Sequence, residues 1–104
     1  MEPINVRFAN PHNMDFIYNS LVELFTEAHV IKRFSQTKRS LLQILFSTHP
    51  GAEVLIAEIQ NLSVGFALFS MTNRNFPLFD GPGLYLHDLY VKEHYRRKGI
   101  LPHN

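Results

Sequence analysis

The sequence predicts a mixed α/β (α+β) domain with elements in the order β-α-α-β-β-β around a mainly antiparallel sheet. Three observations predict it. A short alternating segment opens the chain, and three apolar, β-rich runs close it. Between them lie two blocks whose apolar residues recur at helical spacing. A tight Gln60-Asn61 turn joins two of the later runs, as a hairpin requires.

Taken in order, Ile4-Asn5-Val6-Arg7-Phe8-Ala9 alternates apolar and polar and reads as the first strand. Asn10-Pro11 breaks it, and Asn13 has the chemistry of a helix N-cap. Met14, Ile17, Leu21, Leu24, Phe25 and Ala28 then share one helical face up to about His29. Ser35 or Thr37 can cap a second helix with Leu41, Leu42, Leu45 and Phe46 on its inner side. Thr48-His49-Pro50-Gly51 ends it by turn chemistry. Strands are expected over residues 53–58, 63–71 and 84–91, the last two separated by a Pro- and Gly-containing loop. Both faces of the two central strands are apolar, so the sheet needs cover on each side. The two early helices can supply one cover, and no segment of the sequence is an evident second.

Composition bounds the function. A chain of 104 residues is one modest domain, and 45% hydrophobic with 18% charged residues describes a globular one. A formal net charge of +1 gives no basis for a nucleic-acid binder, although Arg96-Arg97-Lys98 forms one basic cluster. The absence of cysteine excludes disulfides, thiolate metal sites and thiol nucleophiles. The histidines lack tight ligand spacing, so no metal site is expected. With neither a membrane-length apolar span nor a signal-peptide pattern, the expectation is a soluble, cytoplasmic protein with no membrane partner.

The most informative stretch runs from Gly83 to Val91 and on through Arg96-Arg97-Lys98-Gly99-Ile100. An apolar strand that feeds into a glycine-containing basic turn can present several amide N–H groups to one phosphate. Arginines beside that turn can reach the same oxygens with paired bonds.

That motif and the element order together resemble the GNAT superfamily of N-acetyltransferases, which move acetyl from acetyl-CoA to an amine. The family motif is Arg/Gln-x-x-Gly-x-Gly/Ala after an apolar strand, and Arg96-Arg97-Lys98-Gly99-Ile100 matches its first five positions. Residues 81–91 look more narrowly like the spermidine/spermine (diamine) branch, with His87-Asp88 where that branch has Glu-Asp. The resemblance implies the N-terminal part of the acyl-CoA N-acyltransferase fold, acetyl-CoA as cosubstrate and no metal. It also implies that the whole chain, 1–104, is one C-terminally truncated domain ending at the pyrophosphate-binding turn.

Residue roles follow from the same resemblance. Backbone at Leu89, Tyr90 and Val91 would hold the pantetheine arm as if it were another strand. Arg96, Arg97, Lys98, Gly99 and Ile100 would surround the pyrophosphate. His87 is the candidate base, since imidazole ordinarily titrates near ~6.5, and an amine must lose a proton to react. Asp88 could hold a cationic amine. Tyr85, Tyr90 and Tyr95 read as packing and edge residues, and Lys32-Arg33 and Lys38-Arg39 as a solvated face. Those four cations stand near the family's acceptor site and disfavour a polycationic substrate.

Two functions are therefore expected. One is acetylation of the primary amine of a small molecule, polyamine-like or amino-acid-like. The other is a catalytically inactive remnant that self-associates, as a homodimer, through its exposed sheet face or edge.

Overall fold

The computed structural model describes residues 3–72 and 83–96. Its four strands pair antiparallel throughout, in the order β1-β2-β3-β4: β1 is Ile4–Phe8, β2 Glu53–Ile59, β3 Leu62–Thr72 and β4 Gly83–Val91. Helices α1 (Met14–Glu27) and α2 (Lys38–Phe46) connect β1 to β2. The expected order holds, with element ends shifted by a residue or two.

Local chemistry explains the boundaries. Asn13 is not the side-chain cap of α1. Asn10 caps a short turn of 3-10 helix, Pro11–Asn13, and the Asn13 side chain accepts a 2.9 Å bond from the Asn10 N–H instead. Asn13 also accepts from Arg7, whose guanidinium grips Glu58 through two bonds of 3.1 and 3.0 Å. That network ties β1 and β2 to the start of α1 and holds the Glu58 carboxyl below its ordinary pKa. At the other end of α1, His29 N–H reaches Thr26 O and Val30 N–H reaches Phe25 O, with His29 at φ 60°. This is a Schellman closure made without the usual glycine. Thr37 and Ser40 cap α2 reciprocally, resolving the choice between Ser35 and Thr37. Gln60 and Asn61 both have positive φ, 51° and 64°, as a two-residue type I′ hairpin demands.

The main core lies between the helices and one face of the sheet: Met14, Ile17 and Leu21 of α1, Leu41 and Leu45 of α2, and Val54, Ile56, Phe66 and Tyr90 from the strands. Leu42, expected on the inner side of α2, is 40% exposed, because Leu41 and Leu45 one turn apart already define the buried stripe. On the opposite face the register aligns Phe8, Leu55, Ala67 and Leu89, with Val6, Ala57, Gly65 and Val91 beside them. Val6 and Phe8 are 58% and 62% exposed there, and the middle of this face dips into an apolar trough of about 170 Å³.

Candidate functional site

The candidate site is built along β4, the terminal strand in the sheet order. Lys92 N–H donates to Val64 O at 2.8 Å, one step beyond the Gly65↔Val91 pair. Bonded and non-bonded pairs alternate in an antiparallel ladder. Phe66↔Tyr90 and Leu68↔Asp88 are therefore bonded pairs, whereas the N–H and C=O groups of Leu89 and Val91 turn away from β3. Gly65 makes this geometry possible: a Cβ there would sit 2.7 Å from Tyr90 O.

His87 occupies a break in that ladder. Leu68 pairs with Asp88 and Phe69 with Leu86, which leaves His87 without a partner across the strand. Such a β-bulge bends the strand and re-aims the side chains beside it. The exposed His87 ring shares a 2.8 Å hydrogen bond between Nε2 and Ser70 Oγ, and lies 4.7 Å from the Tyr85 ring.

Asp88 turns to the helix side. It lines a pocket of about 210 Å³ with Leu21 and Phe25 of α1, Arg33, Phe34, Ser35 and Gln36 of the connection, Leu41 of α2, and Leu68. Phe34 anchors that connection, its ring 5.1 Å from Phe25 and 5.8 Å from Tyr18. Burial pushes the Asp88 carboxyl above its ordinary pKa, with the charge of His87 acting in the opposite sense. Tyr90, the next residue on this face, is buried and stacked on Phe66 at 5.7 Å. Its hydroxyl donates to the Glu23 carboxylate, and desolvation together with that acceptor pushes the phenol up to about 12.

Arg96 folds back on the strand it follows. Its Nε donates to Val91 O at 2.8 Å and its Nη2 lies 3.7 Å from Glu27 Oε2, so it ties the end of β4 to the last turn of α1. Arg97, Lys98, Gly99 and Ile100 lie outside the described residues.

Residues 14–100 match the model of the Acetyltransferase (GNAT) family. The chain belongs to that family. Its fold also resembles solved acetyltransferases at low sequence identity. An acetyltransferase from Vibrio fischeri aligns at TM-score 0.68 and 18% identity, over 92% of this chain and 75% of its own. A ribosomal-protein-alanine N-acetyltransferase from Brucella melitensis biovar Abortus 2308 gives 0.69 and 18%, over 94% and 63%. The aminoglycoside N-acetyltransferase AAC(6')-Iy in complex with CoA gives 0.63 and 19%, over 96% and 62%. The chain thus spans less than two thirds of the latter two.

One cation of the expected solvated face, already expected near the family's acceptor site, reaches the pocket. Arg33 sits in a run that looks like a solvated face, yet it lines the same pocket as Asp88. Lys38 of that run pairs with Asp15 at 3.0 Å. The available signal was Phe34: an aromatic directly after two cations pins the loop and sets where its neighbours point. Among the described residues there is no cluster of three metal-ligating side chains, and no helix is long and apolar enough to cross a membrane.

Proposed function

We propose that this GNAT chain transfers acetyl from acetyl-CoA to the primary amine of a small molecule. The observation that carries the reading is the outward-facing backbone of Leu89 and Val91 on the terminal strand, with only residues 92–95 between it and the Arg96-Arg97-Lys98-Gly99-Ile100 segment. The pantetheine arm would lie along that edge as an added strand. Tyr90, whose backbone faces β3, would brace the edge through its ring on Phe66. Arg97, Lys98 and Gly99 would meet the pyrophosphate with their amides and charge. Arg96 already bonds Val91 O, and a carbonyl can accept a second donor.

The chemistry assigned to the bulge follows from its position. The amine nitrogen attacks the thioester carbonyl carbon, a C–N bond forms, and the C–S bond breaks. The acceptor, bound as an ammonium, first gives one proton to His87, directly or through water, and on to solvent; a second proton leaves the nitrogen after attack and ends on the departing sulfur of CoA. Asp88 holds the acceptor before reaction. His87-Asp88 replaces the Glu-Asp of the diamine branch, so a base that is uncharged in its proton-accepting form stands at the first position.

A second reading has its own observation. The open face carrying Val6, Phe8 and Leu89 favours association of two copies, with or without turnover. Incubation with acetyl-CoA and a mixed panel of amines, read by mass of the products, tests the first reading. Product formation that falls at least ~10-fold in His87→Ala is expected for a general base. A folded protein that binds no acetyl-CoA and forms a stable dimer would replace the enzyme with the self-associating module.

A further inference from the structure

Arg33 and Asp88 bring opposite charges to one pocket. Both line an open pocket of about 210 Å³ bordered by α1, the α1–α2 connection, α2, β3 and β4. They do not neutralise each other: no ion pair joins them, and neither side chain bonds another described residue. Several other cations and acids nearby have partners among the described residues. Lys38 is held by Asp15, Arg96 by Glu27, and Glu23 by the Tyr90 hydroxyl. The rest of the lining is mainly apolar, from Leu21, Phe25, Phe34, Leu41 and Leu68, with Ser35 and Gln36 at the connection.

We infer that this pocket takes a small zwitterion, an amine bearing a carboxylate and an apolar side chain, with the ammonium toward Asp88 and the carboxylate toward Arg33. The inference deepens the acetyltransferase reading and rests on it for the fate of the amine.

Three features converge on that ligand class. A guanidinium fork matches a carboxylate through two parallel bonds, which no second ammonium can exploit. The volume falls below the ~300 Å³ at which drug-sized ligands begin, and suits a molecule of amino-acid size. Lys32, exposed beside Arg33, adds positive potential at the same connection, which repels a diamine and attracts an anionic end. Arg33 is therefore a specificity residue, while Asp88 orients the amine beside His87 at the bulge.

The test compares ligands that differ in one group. L-leucine, its decarboxylated counterpart 3-methylbutylamine, and 1,4-diaminobutane are titrated into the full chain with and without acetyl-CoA, followed by amide NMR at Phe34 and Asp88. L-leucine is expected to bind about tenfold tighter than 3-methylbutylamine, the size of one charge-assisted hydrogen bond at a partly exposed site. Arg33→Gln should erase that preference, Arg33→Lys should restore part of it, and Arg33→Glu should favour the diamine. Equal or better binding of 3-methylbutylamine or 1,4-diaminobutane to the unaltered chain overturns the inference. So does a protein that binds acetyl-CoA but shows no leucine shift. Leucine discrimination without acetyl-CoA binding supports the pocket and removes only the transferase reading.

Discussion

The two faces of the sheet are made of similar residues and end in different environments. On the helix side Val54, Ile56, Phe66 and Tyr90 are buried under α1 and α2. On the other side Val6 and Phe8 remain more than half exposed, and Leu89 is 42% exposed. Apolar composition thus identifies a sheet that needs two covers, but only packing tells which cover is present. The comparison also locates the site. β4 contributes Asp88 and Tyr90 to the covered face and Leu89 to the open one, where Val91 beside it is nonetheless buried, and its outward backbone lies along the line between the faces.

The contrast can be broken most severely from the covered side. Ile17 is fully buried at the centre of the helix–sheet layer, so Ile17→Ala should cost about 3 kcal/mol in chemical denaturation. A loss under ~1 kcal/mol would show that α1 is only loosely docked. Next comes the seam between the faces. Gly65→Val places a side chain against Tyr90 O and should destabilise by about 2 kcal/mol. Because it disturbs the β3–β4 pairing, it should also weaken acetyl-CoA binding more than its stability loss predicts.

The covered face also carries a pH signature. Tyr90 has a folded-state pKa raised from 10.0 to about 12, so its contribution is fully present below pH ~10 and is lost as pH rises through ~12. Stability measured across that interval should fall more shallowly in Tyr90→Phe than in the unaltered chain. Parallel slopes would mean that the buried phenol is not what titrates.

Two smaller effects sharpen the comparison. His29→Gly relieves the left-handed closure of α1 and should stabilise by roughly 1 kcal/mol, seen as a raised Tm. Phe8→Asp on the open face should leave monomer stability within about 0.5 kcal/mol while reducing any self-association seen in sedimentation. A large stability loss from Phe8→Asp would mean that this face is covered after all.

Much of this was legible in the sequence, for identifiable reasons. Gln60-Asn61 was legible as a hairpin turn because two polar residues separate two apolar, β-rich runs, whereas its type I′ geometry came only with the positive φ of both residues. The spacing of Ile17, Leu21 and Leu41 identified buried stripes, since helical periodicity acts over one turn. Tertiary choices were less accessible. Asn13 carries cap chemistry, but Arg7 and the Asn10 N–H claim its oxygen, and those partners meet only once β1 is placed. The bulge at His87 arises from the register of two strands and has no local signature in residues 84–91. Arg33 reads as solvated until Phe34 packs on Phe25 and Tyr18 and turns the connection over the pocket.

The central claim is that the outward edge of β4 receives the cosubstrate. Its most direct test is an acetyl-CoA titration of the full chain followed by backbone amide NMR and hydrogen exchange. Saturable shifts with new protection at the Leu89 and Val91 amides, and little change at the already paired Tyr90 amide, are the predicted result. A well-folded protein in which those two amides neither shift nor gain protection at millimolar acetyl-CoA would contradict the account.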